Sequence, residues 1–254
     1  LIGIGLYCRK HATDVNGFVL GGRSVGPWLT AFAYGTSYFS AVVFVGYAGQ
    51  FGWKYGIAAT WAGIGNAIIG SLLAWVVLGR RTRIMSQHLD SATMPQYFGK
   101  RFGSNPLKIG ASVIIFIFLI PYTASLYNGL SRLFGMAFNI DYSVCIIIMA
   151  TLTAIYVIAG GYMATAINDF IQGIIMLFGI VAVIAAVIHS KGGFMSALQG
   201  LANVSDPAVS KTPGIFASFF GPDPFNLLCV VILTSLGTWG LPQMVQKFYA
   251  IDNE

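Results

Sequence analysis

Six long apolar segments dominate the pattern of hydrophobic and polar positions along the chain. Each is close to the roughly 20 residues that a helix needs to cross a bilayer. Residues 1–8 form a shorter apolar run, so we expect the tail of a cut-off spanning helix there, in a fragment of a longer protein. The transmembrane helices predicted within 28–246, in one membrane domain of residues 1–254, are 28–49, 57–78, 109–130, 142–159, 169–188 and 225–246.

Two of these segments, 28–49 and 225–246, are interrupted by small and polar residues. Gly35 lies among hydroxyl residues in the first, and two glycines precede Pro242 in the last. Glycine permits a local break, and hydroxyl groups satisfy the backbone groups that a break frees. A pair of broken helices is typical of transport sites. Close packing of helices on small residues is the alternative, slightly favoured for the first stretch by itself.

The composition indicates a multi-pass protein of the cell membrane, with the lipid bilayer as its surroundings. Hydrophobic residues make up 56% of the chain and charged residues 9%, whereas a soluble domain has about 25% charged residues. The three cysteines and three histidines have no metal or redox spacing. We therefore expect neither a metal centre nor a cofactor from these residue types.

The basic residues predict the orientation and exclude a nucleic-acid surface. The run 1–8 is counted as the first apolar run. On this count, the connections after the first, third and fifth runs, together with the C-terminal end, are predicted to face the cytoplasm. The remaining four basic residues lie on the other side, so the net charge of +6 reflects topology. Ten of the 14 basic residues lie on the predicted cytoplasmic side: Arg9, Lys10, Arg23, Arg80, Arg81, Arg83, Lys100, Arg101, Lys108 and Lys247.

The long basic connection 80–108 contains a predicted amphipathic helix with Pro95 near its first turn. Its aromatic residues suit the membrane interface, with Lys100 and Arg101 directed toward lipid phosphate. Docking onto the cytoplasmic ends of the helix bundle is the favoured interpretation.

Asp169 stands at the predicted start of the fifth full segment, after a Gly-rich connection. An N-cap is one interpretation, since Gln172 completes a capping-box pattern. A functional role is the other, because ionisable residues at the edge of hydrocarbon are functional candidates.

Four stretches resemble the sodium:solute symporter family, which includes sodium/proline and sodium/glucose symporters. They occur in family order: GGRSVGPWLTAFAYGTSYFS (21–40), TMPQYFGKRF (93–102), GGYMATAINDFIQ (160–172) and GLPQMVQKF (240–248). The resemblance implies a leucine-transporter-type fold of two inverted five-helix repeats, an all-α polytopic membrane fold truncated here after core helix 6. Segments 28–49 and 225–246 are then core helices 1 and 6.

The resemblance also implies site residues. The sodium ligands are the backbone carbonyls of Thr36 and Phe39, and Asp169 lies near the ion exit. One departure is Tyr38, where proline-type members carry an aspartate, so proline as substrate is in doubt. The substrate-facing candidates are Tyr34, Ser37, Trp61, Asn66, Thr238 and Trp239. Asn66 equally suits a hydrogen bond to a neighbouring helix.

These observations predict a secondary transporter that couples sodium to uptake of a small organic solute by alternating access, with no cofactor beyond the coupling ion. The alternative is a symporter-like sensor domain of a signalling protein, which sequence after residue 254 would decide. A membrane enzyme is least favoured, since no catalytic motif occurs in any segment.

Overall fold

The chain is described from a computed structural model of its 254 residues. The structure describes residues 1–11, 13–39, 47–204, 206, 209 and 212–252. Helices account for most of this described part, which contains no strand beyond one isolated parallel bridge between Val25 and Ile251. The predicted all-α class is confirmed.

Twelve α-helices follow one another in the described ranges, joined by short 3-10 turns and, after α5, by the π-helical stretches Asn66–Leu73 and Trp75–Gly79. They are α1 Ile2–Cys8, α2 Val15–Leu20, α3 Pro27–Tyr38, α4 Ala48–Tyr55, α5 Thr60–Gly65, α6 Arg80–His88, α7 Met94–Phe102, α8 Asn105–Phe138, α9 Tyr142–Ser190, α10 Phe194–Ala202, α11 Pro224–Gly237 and α12 Pro242–Ala250.

Among the described residues, three helical stretches are long and apolar enough to cross a membrane, namely Ala48–His88, Asn105–Phe138 and Tyr142–Ser190. A fourth span is obtained when Pro224–Gly240 and Pro242–Ala250, which meet at a bend of 53°, count as one interrupted helix. Length and composition alone support these spans, so the six predicted crossings stay a prediction.

Helix α9 covers two of the predicted segments, 142–159 and 169–188, with a single break at Gly161. This residue has φ 56° and ψ −146°, a conformation that glycine adopts without penalty. The predicted Gly-rich connection is therefore one residue, because Gly161 alone kinks the chain and the helix resumes at once. Asp169 lies well inside the second part of α9, so the N-cap interpretation of this residue is wrong.

The chain divides into two compact units, each with its own core. The first comprises Leu1–Val42, Ala74–Gly173 and Gly240–Glu254, and the second comprises Val43–Leu73 and Ile174–Trp239. The core of the first unit is formed by Leu20, Val25, Ala33, Ala92, Tyr162, Ala166, Val245, Tyr249 and Ala250. The core of the second is formed by Tyr55, Ala58, Leu227 and Val231.

Candidate functional site

Helix α3 ends inside the first interrupted segment, but later than the sequence predicts. Pro27 occupies its first turn, where a missing N–H costs nothing. Gly35 is helical, and its carbonyl accepts a hydrogen bond from the N–H of Phe39 at 2.8 Å. The local break that Gly35 permits therefore does not occur at this residue. Phe39, with φ −89° and ψ 65°, ends the helix, and positions 40–46 lie outside the described residues.

Both predicted sodium ligands lie at this helix end. Thr36 is in the last turn of α3, and Phe39 is its C-cap residue. The C-terminus of an α-helix carries a partial negative charge. The end of α3 is thus favourable for a cation. The Thr36 hydroxyl donates to the carbonyl of Phe32 at 2.9 Å, so its proton is used within α3.

Gly173 of α9 allows α3 to pack closely at this point. A Cβ on Gly173 would lie 2.7 Å from Cδ1 of Phe32 and 3.0 Å from Cγ2 of Thr36. The Phe32 ring also meets the ring of Phe170, with their centroids 4.8 Å apart. Asp169 precedes Gly173 by one helical turn, and residues four apart share a helix face. The last turns of α3 contact α9 at Gly173, and Asp169 therefore lies about one turn of α9 before that contact.

Asp169 forms an ion pair that the sequence did not predict. Its Oδ2 atom lies 3.7 Å from Nζ of Lys247 in α12. The side chain of Lys247 is 7% exposed and that of Asp169 is 29% exposed. The sequence placed Lys247 among the cytoplasmic charges, directly after the predicted span 225–246, where a lysine is expected from topology alone.

Two further buried polar groups lie beside this pair. Nζ of Lys247 sits 4.9 Å from the centre of the Tyr162 ring, a cation–π arrangement. Within the described residues, the Tyr162 hydroxyl and both side-chain polar atoms of Asn168 are buried without a hydrogen-bond partner. Buried polar groups in proteins usually have a hydrogen-bond partner, so these three atoms are exceptions among the described residues.

A cavity of about 790 Å³ in the first unit is lined by residues of α2, α3, α7, α8 and α12. Its polar lining includes Thr36 and Ser37 of α3, Thr123 of α8, and Gln243 and Gln246 of α12. None of the described residues that line it is charged. The cavity therefore has a mostly apolar wall with hydroxyl and amide groups at a few positions, and it presents no charge.

Tyr34, the other solute-facing candidate of α3, does not line this cavity. It is buried in an aromatic cluster, 5.4 Å from the ring of Trp75 and 6.1 Å from that of Phe248. Tyr38 is also buried, with its ring 6.0 Å from that of Tyr34. Tyr38, which stands where proline-type members carry an aspartate, thus packs among aromatic rings.

In the second unit, Trp61 and Asn66 both use their polar groups in internal contacts. The indole N–H of Trp61 donates to the carbonyl of Phe219 at 3.0 Å, and the two rings meet edge to face. The side-chain amide of Asn66 donates to the Thr234 hydroxyl at 3.0 Å. The helix-bridging role that the sequence allowed for Asn66 is therefore observed.

The interruption predicted in segment 225–246 is confirmed. Helix α11 ends at Gly237, a 3-10 turn covers Thr238–Gly240, and Leu241 is extended before Pro242 starts α12. The Thr238 hydroxyl donates to the Ser235 carbonyl at 2.9 Å, and the indole N–H of Trp239 donates to the Ile69 carbonyl at 3.0 Å.

Arg23 ties three parts of the first unit together. It adopts φ 56°, and its guanidinium donates to the Ser91 carbonyl at 2.8 Å, to both oxygens of Ser86 and to the Tyr249 carbonyl. Burial lowers the pKa of Arg23, with a further contribution from nearby Arg83. We call these contacts the Arg23 network; they join the turn before α3 to the last turn of α6, to the connection after it and to the end of α12.

Apolar helices of membrane-spanning length, a helix that ends within an apolar segment and a partly buried ion pair near that end are together typical of secondary transporters. The comparisons agree, because the chain belongs to the sodium:solute symporter family, whose family model matches residues 18–254. The family and the apolar helices make the chain a multi-pass protein of the cell membrane.

The chain is similar to two bacterial proteins of this family. It is 31% identical to the osmoregulated proline transporter OpuE of Bacillus subtilis over 98% of this chain and 49% of that protein. It is 33% identical to the sodium/proline symporter of Staphylococcus aureus over 99% of this chain and 48% of that protein. The chain thus spans about half the length of the curated relatives it matches.

Proposed function

We propose that the full-length protein containing this chain imports a small organic solute together with sodium by alternating access. Its fold is the leucine-transporter-type inverted repeat, in which α3 belongs to core helix 1 and α11 with α12 forms core helix 6. One sodium ion entering down a potential of 100 mV releases about 2.3 kcal/mol, which can drive an uncharged or zwitterionic solute inward. The observation that carries this proposal is the Asp169–Lys247 pair near the end of α3.

The ion route runs from the carbonyls of Thr36 and Phe39 to Asp169. Sodium favours several oxygen ligands, and a helix C-terminus supplies carbonyl oxygens. Asp169 is the more exposed partner of its ion pair, so its carboxylate can bind a passing cation while Lys247 stays in place. Lys247 then competes with sodium for the carboxylate, which favours release of the ion.

The solute is polar and carries no net charge. The uncharged lining of the cavity supports this class, and Ser37 is the proposed solute contact that borders it. Tyr34, Trp61, Asn66, Thr238 and Trp239 stay proposed contacts on the family resemblance alone. The names of both relatives mention proline, so proline is the first solute to test, although Tyr38 removes the carboxylate found in proline-type members.

Uptake by the purified full-length protein in proteoliposomes tests this proposal. We expect inward sodium, but not potassium, to drive accumulation of one member of a panel of labelled neutral and zwitterionic solutes. Asp169→Asn should raise the sodium concentration for half-maximal uptake by roughly tenfold or more, since a charge about 4 Å from a cation contributes several kcal/mol at an effective dielectric constant of about 20. Asp141→Asn, an exposed aspartate before α9, is the matched control. A sodium curve for Asp169→Asn that superimposes on the parent curve would exclude the ion role.

A further inference from the structure

Helix α7, Met94–Phe102, packs on the protein through its first half but not through its last turn. Tyr97 packs against the core of the first unit, with its ring stacked 6.1 Å from that of Tyr249. This half of α7 is therefore docked on the first unit, whereas the cytoplasmic side of that contact stays a prediction. Lys100, Arg101 and Phe102 are all exposed, and Phe102 is 65% exposed. The last turn therefore presents two cations and an aromatic ring outward.

Lys108, at the start of α8, adds a third cation to this turn. A Cβ on Gly99 would lie 2.8 Å from the Cβ of Lys108, so the lysine stem lies against Gly99, next to Lys100. Gly103, with φ 60°, ends α7 and is followed at once by the N-cap Ser104 of α8. This tight connection holds all three cations at one corner.

The corner lies where the apolar surface of a membrane-length helix begins. Leu107 and Ile109 of α8 are 42% and 62% exposed, on either side of Lys108. Nζ of Lys100 donates to the backbone carbonyl of Asp90 at 2.6 Å. Asp90 is therefore an acidic neighbour of the corner, where Lys100, Arg101 and Lys108 outnumber it. Cations and an exposed aromatic ring at such a boundary are suited to the headgroup region of a bilayer.

We propose that Lys100, Arg101, Lys108 and Phe102 form a binding site for the headgroup of an anionic phospholipid. The three cations contact the phosphate region, and Phe102 lies at the boundary with the acyl chains. Each basic residue near an anionic membrane surface strengthens binding by roughly fivefold. This site goes beyond the proposed transport function and does not depend on the identity of the solute.

Native mass spectrometry of the purified full-length protein, titrated with phosphatidylglycerol or phosphatidylcholine, tests the site. We expect the parent to bind phosphatidylglycerol more tightly, and less so as ionic strength rises. The triple variant Lys100→Gln, Arg101→Gln, Lys108→Gln should bind it at least about tenfold more weakly, with phosphatidylcholine binding unchanged.

Two control variants separate this site from general effects. The charge-preserving set Lys100→Arg, Arg101→Lys, Lys108→Arg should retain binding, and so should the neutralised set Lys54→Gln, Arg132→Gln, Lys191→Gln on the predicted outer side. The proposal is overturned if the parent shows no preference for phosphatidylglycerol. It is equally overturned if both neutralised sets lose the same binding, or if neither loses any.

Discussion

Nζ of Lys247 lies 3.7 Å from Oδ2 of Asp169 and 4.9 Å from the centre of the Tyr162 ring. The ammonium is thus held between a carboxylate and an aromatic face. Because Lys247 is nearly buried whereas Asp169 is partly exposed, the two partners are not equivalent. Removing the carboxylate of Asp169 leaves the nearly buried ammonium of Lys247 unpaired. Removing Lys247 leaves a carboxylate that is partly exposed to its surroundings.

We first predict that Asp169→Asn destabilises the protein by about 2 kcal/mol, because an unpaired buried charge is costly. The double variant Asp169→Asn, Lys247→Met should recover most of this loss, since it removes the charge that was left unpaired. Thermal unfolding in detergent of the parent, both single variants and the double variant measures the coupling. Additive losses would show that the pair contributes no coupling energy.

Gly173→Ala should separate α3 from α9, because its Cβ would collide with Phe32 and Thr36. We expect a higher sodium requirement for uptake, since the carbonyl of Thr36 moves with the helix. Gly179→Ala is the matched control in the same helix, where a Cβ meets no described atom within 4 Å. It should be neutral or stabilising by up to about 1 kcal/mol. Equal sodium curves for the two variants would contradict the close-packing argument.

The Arg23 network predicts a pattern of chemical accessibility. Ser91 is fully buried, so Ser91→Cys should react slowly with a membrane-impermeant thiol reagent in a Cys229→Ser background. Adding Arg23→Gln should speed labelling about tenfold, because hydrogen bonds from a charged group contribute roughly 1.5 kcal/mol or more. Arg81→Gln, an exposed change in α6, should leave the rate unchanged. A rate that is already fast in the Ser91→Cys parent would contradict the network.

Orientation is best tested at exposed positions. In the Cys229→Ser background, we expect His88→Cys to be labelled only from the cytoplasm and Lys191→Cys only from outside, as the distribution of basic residues predicts. Both positions are exposed, so reactivity reports sidedness and not burial. The reverse labelling pattern would invert the topology.

Features set by local chemistry could be predicted from the sequence. Pro27 at the start of α3, the interruption before Pro242 and the amphipathic helix α7 all depend on residues close together in the chain. The positions of breaks were harder to predict, because glycine permits a break without requiring one. Gly35 stays helical, whereas Gly161, where a connection of several residues was expected, kinks the chain alone.

The site depends on distant contacts, which explains why only part of it could be predicted. Asp169 was a candidate because an acidic residue stood beside an apolar segment. Lys247 was not a candidate site residue, because a lysine near the predicted cytoplasmic end of a span is expected from topology alone. Only the packing of α12 against α9 shows that its ammonium meets a carboxylate.

The Arg23 network also has a consequence for how the protein is made. Arg23 and Tyr249 are 226 residues apart in sequence. At synthesis rates of about 5 to 20 residues per second, the carbonyl of Tyr249 emerges roughly 10 to 45 s after Arg23. Throughout that interval the N-terminal segment is in the membrane without its last hydrogen-bond acceptor. The Arg23 network is therefore completed only after α12 has been synthesised, however early α3 enters the membrane.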